Sequence, residues 1–371
     1  MLLLHMADVH LGSAQYNLKE RERDVYNAFN EVIEKAIEER VDAVVISGDL
    51  FHTPTPTRGL EPVKVAEEGI SKLRERGIEV IMIPGDHDKP KRYGLPSIKY
   101  VADKTGAKLL LKEVGIKGFE YKGVTFYGAQ APAHGNYEEL KALDRIKKPK
   151  KSVVLLHLAP CSVFKFGCVE DGLIPKGFSY YAMGHIHAPI TNYFEGSPMV
   201  FPGSLEVINV DEVKYIREKG AVLVDLSGDE AKILGKIKVN VRPQVIITIR
   251  MPLNEKEVLS KLSKVPRGAL LHVYVKGKGS YQIEKLKALL SQRDLLAWRL
   301  HLVGEEEVKE EISVSEVPTV FEVLKEFYKD EKLASYLSRL FDALSHGEEA
   351  EAFKVAEELF KSGLWKGTRK F

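Results

Sequence analysis

The sequence predicts an α/β protein: a two-sheet sandwich flanked by helices, then a small second α/β unit and a helical C-terminal segment. Three observations predict it. Through residues 1–88, apolar runs of strand length alternate with amphipathic helical patterns. From residue 117 the pattern changes to shorter apolar runs set among turns. Beyond residue 316, apolar residues recur three and four apart without strand signals.

Taken in order, residues 2–6 (Leu-Leu-Leu-His-Met) are apolar. They lack the basic lead and small-residue cleavage site of a secretory leader, so they are expected to form the first buried strand. A loop over 7–12 follows. Residues 21–39 place Val25, Phe29, Val32, Ile33, Ala36 and Ile37 on one helical face. Residues 41–47 read as a second buried strand, 63–77 as a second helix and 78–83 as a third strand. Strand, loop and helix in repetition require crossover connections and hence a mostly parallel sheet. Ligands of such sheets collect beyond the carboxyl ends of the strands, where the polar motifs of this chain fall.

Residues 119–128, 152–157, 180–184, 199–201 and 220–226 are expected to build a second sheet on the first, closing a domain over 1–242. Residues 243–304 read as a small separate unit, with strands at 245–250, 270–275 and 297–302 and helices at 255–264 and 282–290. The acidic, polar stretch 305–316 reads as a linker. Helices at 320–328, 333–345 and 348–362 fill the segment 317–371, and Gly363 is placed to stop the last of them.

The chain has 371 residues, 44% of them hydrophobic, but no apolar run long enough to span a membrane. Its 55 basic and 53 acidic residues give a formal net charge of +2, so any affinity for nucleic acid must come from local patches or bound metal. The two cysteines, Cys161 and Cys168, are too few for a disulfide scaffold or a thiolate zinc site, and a reducing cytoplasm is the expected setting.

The chemistry is concentrated in four places: Asp8-Val9-His10; Gly48-Asp49-Leu50-Phe51-His52; Gly85-Asp86-His87-Asp88; and His157 with Gly184-His185-Ile186-His187. Each follows an apolar strand. Singly they are ordinary: an Asp-x-His is commonly a turn, and a histidine ending a strand is commonly a core residue. Together, in this order, they imply one site. Carboxylates and imidazoles without thiolates suit Mn, Fe or Zn-like cations. A carboxylate can bridge two cations, and two cations can clamp a phosphate and generate a nucleophile, so the set predicts a dinuclear phosphoesterase.

The series D-x-H, G-D-x-x-H, G-x-H-D, H and G-H-x-H resembles the calcineurin-like metallophosphoesterase superfamily. Within it, HMADVHLG, VVISGDLFH, YYAMGHIH and FPGSLE resemble the SbcD-type DNA double-strand-break repair exonucleases and their archaeal and eukaryotic Mre-eleven relatives. The likeness is strong over 1–226 and weaker over 243–303, which is similar to that family's DNA-capping domain; the tail resembles the segment that binds a coiled-coil ATPase. The resemblance implies the metallophosphoesterase fold and two Mn2+ ions per subunit, with Mg2+ or another divalent cation as a substitute. It implies 3′-to-5′ exonuclease action on duplex ends, endonuclease action on single strands, an SMC-like ATPase partner of the SbcC/Rad-fifty type, a homodimer through the helices at 21–39 and 63–77, and a cytoplasmic, nucleoid-associated setting. Carried over by position, Asp8, His10, Asp49 and His187 would hold one ion. Asp86, His157 and His185 would join the bridging Asp49 on the other. His87 would be the catalytic histidine, His52 a second histidine beside the phosphate, and Asp88 a group that orients a histidine.

One position departs from the family. Asp86 stands where Asn is usual, adding a negative charge that would tighten metal binding but attract an anionic phosphate less. This leaves an alternative, a DNA-end-tethering scaffold with an impaired metal site; a phosphomonoesterase or phosphodiesterase of the same superfamily is another, because it would share every ligand. Lys89, Lys91 and Arg92 follow the third motif and are placed to touch DNA phosphates. The basic run 147–151 lies far from any motif, and the aromatic run 178–181 reads as core.

Overall fold

The computed structural model describes all residues except 57–58, 90–94, 131–136, 166, 278–279, 304–323, 326, 346–348 and 365–371. The expected linker 305–316 and the start of the expected helix 320–328 lie outside the described residues. The chain forms two bodies, one of Met1–Ala131 with Glu138–Glu307 and one of Pro132–Tyr137 with Val308–Phe371.

The first body opens with β1 (Leu2–Met6), α1 (Lys19–Glu38), β2 (Ala43–Ser47), α2 (Glu61–Glu75), β3 (Glu79–Ile83), α3 (Ser97–Thr105) and β4 (Lys108–Leu109). β1 to β4 are parallel neighbours, as crossover helices require. Next come α4 (Lys112–Lys117), β5 (Phe119–Tyr121), β6 (Val124–Ala129), α5 (Glu138–Arg145), β7 (Ser152–His157), β8 (Tyr180–Gly184), β9 (Ile190–Phe194) and β10 (Ser197–Phe201). These six strands form a second sheet in the order β5-β6-β7-β8-β10-β9.

Strand faces alternate, and both faces of the first sheet are buried, which explains its nearly continuous apolar strands. Leu3, Val45 and Ile81 meet Phe126, Leu155 and Tyr180 between the sheets. Leu4, Val44 and Val80 pack instead against Phe29 of α1 and Ile70 of α2. The aromatic run 178–181 is core as expected: Phe178, Tyr180 and Tyr181 are buried.

The structure corrects two expectations. Residues 220–226 were assigned to the second sheet, but β11 (Gly220–Asp225) pairs antiparallel with β1 and then with β12 (Lys232–Lys238), completing the first sheet as β12-β11-β1-β2-β3-β4. A short apolar strand carries no mark of which sheet it joins; the connection over 202–219 carries this one back to the first. Residues 119–128 are a hairpin, β5 and β6, not one strand. Cys161 and Cys168 form one disulfide with Cα atoms 4.9 Å apart, closing the loop that follows β7.

The first body continues with β13 (Gln244–Arg250), α6 (Glu255–Leu262), β14 (Ala269–Lys276), α7 (Ser280–Ser291) and β15 (Leu295–Val303), whose strands form a parallel three-stranded sheet. The Asn254 side chain caps α6 by accepting from the Glu257 amide at 3.2 Å. One sheet face, with Ile247, Ile249, Leu271 and Val273, packs on Val258, Leu262, Leu286 and Leu290. The other face is polar and meets the sandwich. Arg242 pairs with Asp24 of α1 at 2.6 Å, Gln244 bonds Gln15 at 2.9 Å, and the Tyr16 hydroxyl lies 3.3 Å from His272 Nδ1.

In the second body, α8 (Glu331–Ser345) pairs with α9 (Glu349–Ser362). Leu333, Ala334, Ala343, Ala352 and Val355 are buried, while Phe353 is 79% exposed. Gly363 takes a φ of +71° and ends α9, as its position predicts. Among the described residues no helix is long and apolar enough to cross a membrane.

One buried polar group crosses the sandwich core. His5 of β1 lies 2.9 Å from the Tyr180 hydroxyl and 3.0 Å from Ser47 Oγ. Burial lowers its pKa to about 3, so the fold holds it neutral while an unfolded chain protonates it near pH 6.5. A depressed histidine stabilises the fold fully above the unfolded value and loses that contribution as pH falls from about 6.5 toward 3. The metal-free native chain should therefore lose about 2 kcal/mol more stability between pH 7 and pH 5 than a His5→Gln variant does. Urea denaturation of both at the two pH values measures this, and parallel pH dependences would refute it.

Candidate metal centre

All the expected donors sit at the carboxyl ends of parallel strands, on the rim where the two sheets meet. Asp8 and His10 follow β1, Asp49 and His52 follow β2, and Asp86, His87 and Asp88 follow β3. From the second sheet, His157 ends β7, and His185 and His187 follow β8. The first two loops are stitched together by amide bonds from Asp8 to Gly48 (3.1 Å), His10 to Asp49 (2.9 Å) and Leu11 to Leu50 (2.9 Å).

The backbone is strained where the donors lie. Asp8, His10, Asp49 and His185 have φ of 52°, 55°, 52° and 84°. Left-handed conformations at non-glycine residues cost energy and cluster at functional sites. Here they turn strand-end side chains inward.

Glycine is required where the sheets close on each other. His157 Nδ1 lies 2.8 Å from the Ser47 carbonyl oxygen. A carbonyl only accepts, so Nδ1 carries the proton and Nε2 is left to face the carboxylates. A Cβ at Gly184 would lie 1.9 Å from that carbonyl oxygen and 2.7 Å from His157 Nδ1. One at Gly48, whose φ is +89°, would lie 2.2 Å from the same nitrogen.

Two groups of donor atoms emerge. His10 Nε2 lies 3.0 Å from His187 Nε2 and 3.7 Å from Asp49 Oδ2, and His187 Nε2 lies 4.0 Å from Asp8 Oδ1. On the other side, His185 Nδ1 lies 3.2 Å from Asp86 Oδ2, while His157 Nε2 lies 3.3 Å from Asp49 Oδ2 and 3.9 Å from Asp86 Oδ2. Asp8, His10 and His187 can converge on one cation, and Asp86, His157 and His185 on another. Asp49 reaches both groups.

The electrostatics fit cations. Asp8 Oδ2 and His157 Nε2 are buried without a hydrogen bond, an expensive arrangement unless a further partner binds there. Burial alone would lower the His157 pKa, but Asp49, Asp8 and Asp86 together raise it to about 10. Burial opposes ionisation of Asp49 as well, yet His157 and His10 hold its carboxyl far below the usual range. Burial raises Asp8 and lowers His10. Three carboxylates thus demand positive charge, and oxygen and nitrogen donors without thiolate suit hard to borderline divalent ions.

The remaining expected residues frame this cluster. His87 is exposed, and its Nδ1 lies 2.8 Å from the His52 carbonyl oxygen. The His52 and His87 rings stack at 5.3 Å, and His10 lies edge-on to His87 at 4.8 Å. Asp88 departs from expectation. Its carboxylate takes the amides of Gly85 (3.0 Å), Leu50 (3.1 Å) and Phe51 (2.9 Å), so it ties the second and third motif loops together instead of bonding a histidine. Its buried position favours this role, because three amide donors converge there. Lys89 is largely buried, with Nζ 3.9 Å from Asp86 Oδ1, beside a charge within the site. Lys91 and Arg92 lie outside the described residues.

Sequence reasoning missed two members of the site. Glu212 Oε1 lies 2.7 Å from His187 Nδ1, and Lys219 Nζ lies 2.6 Å from Glu212 Oε2. Asn209 and Glu212 have the spacing of a capping box and form one, a signal that marks a helix start but not a site.

The chain is similar to known proteins along most of its length. Residues 1–189 match the calcineurin-like phosphoesterase family. The chain is 32% identical to a DNA double-strand break repair protein Mre11 of Sulfurisphaera tokodaii, over 97% of this chain and 96% of that one. It is 33% identical to the protein of that name from Saccharolobus solfataricus over 81% of each chain, and 32% identical to that from Methanocaldococcus jannaschii over 71% of this chain and 74% of that one.

Because a Cβ at position 184 collides with backbone as well as with His157, relief requires the sheets to part. Gly184→Ala should cost about 1–3 kcal/mol in the metal-free protein. Denaturant titration checks this; unchanged stability would show that the seam can open freely.

Proposed function

Because this chain belongs to the Mre11 family of calcineurin-like phosphoesterases, we propose that it is a manganese-dependent DNA nuclease whose carboxylate and histidine cluster holds two Mn2+ ions. The chain is a metal-dependent phosphodiesterase and a double-strand-break repair nuclease. The observation that carries this reading is the span of the likeness: 97% of this chain and 96% of the Sulfurisphaera relative. A small-molecule phosphatase of the superfamily would share the donors but not the sheet β13–β15 and the helical tail.

In this reading Asp8, His10, Asp49 and His187 hold one ion, and Asp49, Asp86, His157 and His185 the other. Such a pair supplies charge neutralisation on the phosphodiester and acidifies water for attack at neutral pH. The chain's own residues do the rest. The Ser47 carbonyl keeps the proton on His157 Nδ1. The His52 carbonyl does the same for His87 Nδ1, leaving Nε2 as the atom that can hold or move a proton at the leaving oxygen. His52, its pKa lowered by burial and by His87, is a neutral neighbour for the phosphate.

A cleft of about 450 Å³ runs from His52 past Ser13 and Tyr16 to Asn209 and Asp211. Tyr16 continues it to the polar face of the third sheet, where Arg299 lies 4.7 Å over the Tyr16 ring. This extended surface suits a polymer. Action at duplex ends from the 3′ side and on single strands, a homodimer through α1 and α2, and a coiled-coil ATPase docked on the helical tail complete the proposal.

The Asp86 charge does not disqualify the site. Its Oδ2 faces His185 and Lys89 lies on its other side, so part of the added charge is offset. Two variants test the reading with end-labelled duplex DNA and Mn2+. His87→Ala should slow cleavage about 100-fold or more with Mn2+ binding retained; an undiminished rate would remove His87 from the mechanism. Asp86→Asn should cleave several-fold faster, because less negative charge faces the phosphate; a slower Asn form would show that the carboxylate is no handicap.

A further inference from the structure

We infer that Glu212 and Lys219 form a positioning clamp for His187, and so set the affinity of one cation position independently of the other. The inference rests on the metal-centre reading above and adds residues that the donor motifs do not contain.

The pair grips His187 at both ends. Glu212 Oε1 lies 2.7 Å from Nδ1 of the imidazole. Lys219 Nζ donates to the main-chain oxygen of the same residue at 3.3 Å. The two are joined at 2.6 Å, and Ser204 Oγ donates to Glu212 Oε2 at 2.8 Å. The amides of Ile208 and Asn209 complete the carboxylate's partners at 3.2 and 3.0 Å. Glu212 is 6% and Lys219 1% exposed, so neither can swing into solvent.

The geometry has a chemical consequence. A carboxylate facing Nδ1 only accepts, so the imidazole keeps its proton on Nδ1 and donates it in that bond, which leaves the Nε2 lone pair facing His10 Nε2 and Asp8 Oδ1. A charged acceptor also makes the imidazole a stronger donor toward a cation. A buried ion pair is a poor source of stability, since apolar residues of similar size commonly replace one without loss. A pair that also holds an imidazole in one tautomer and rotamer has a different reason to be there. Among the described residues the other histidines of the two donor groups are held differently: His157 by a backbone carbonyl, His10 with its Nδ1 3.5 Å from His52 Nδ1, and His185 against Asp86 itself.

The test is Mn2+ binding by the full chain, read by electron paramagnetic resonance of free Mn2+ during titration. In Glu212→Gln/Lys219→Met an amide oxygen still faces Nδ1, but both buried charges are gone, so no lone charge is stranded. One of the two ions should bind about 10–100-fold more weakly, the other as in the native chain, and the metal-free melting temperature should hold. Glu212→Ala/Lys219→Met, which removes the acceptor, should weaken the same ion further. Two unchanged affinities, or a proportional loss of both together with a fall in melting temperature, would overturn the clamp. A native chain that does not bind two ions would overturn the metal-centre reading itself, and the clamp with it.

Discussion

The hydrogen bond from His157 Nδ1 to the Ser47 carbonyl is the contact on which the rest of the site depends. It joins the last residue of a strand in one sheet to the last residue of a strand in the other, at the rim where both parallel arrays end. It fixes the imidazole tautomer, so Nε2 turns to Asp49 and Asp86. It also fixes how closely the sheets approach, which excludes any side chain at Gly48 and Gly184. Fold and chemistry are coupled there: the closeness that packs the sandwich core also brings donors from opposite sheets within reach of one ion.

The cost of this arrangement is visible around it. Asp8, His10, Asp49 and His185 hold left-handed backbone, and three carboxylates share a largely buried space. A metal-free chain manages the charge by placing histidines among the carboxylates, with His157 pushed up to about 10. Divalent ions would discharge the same repulsion more completely. The surroundings are built to hold such a site still. Asp88 ties two motif loops through three amides, and Glu212 with Lys219 braces His187.

The third sheet is connected to this centre through polar contacts. Buried Arg21 bonds Gln15, Asp24 and the Val207 carbonyl. Gln15 also receives Gln244, and Gln244 meets His272 at 2.9 Å. One chain of hydrogen bonds therefore runs from the segment after Ser204, beside His187, past the loop after β1 and into β14. Tyr16, with a φ of 58°, stands where the cleft meets this network. The surface suited to a long substrate and the centre suited to its phosphate are held in one body.

The sequence by itself determined the parallel core of the first sheet, β1 to β3 with α1 and α2, because strand-length apolar runs and helical stripes are local patterns with fixed periods. It also singled out the residues that the fold gathers at one rim, because Asp8, His10, Asp49, Asp86, His157, His185 and His187 stand in spaced motifs directly after apolar strands. It could not place 220–226 in the correct sheet, since β11 is chosen by its pairing with β1 more than two hundred residues earlier. Nor could it show that Asp88 serves backbone amides, that Cys161 and Cys168 are bonded, or that Glu212 and Lys219 belong to the site. Those facts depend on separations in space between segments distant in the chain. Periodicity and motif spacing are local quantities; tautomers, close approaches and bracing contacts are decided only once two sheets have packed against each other.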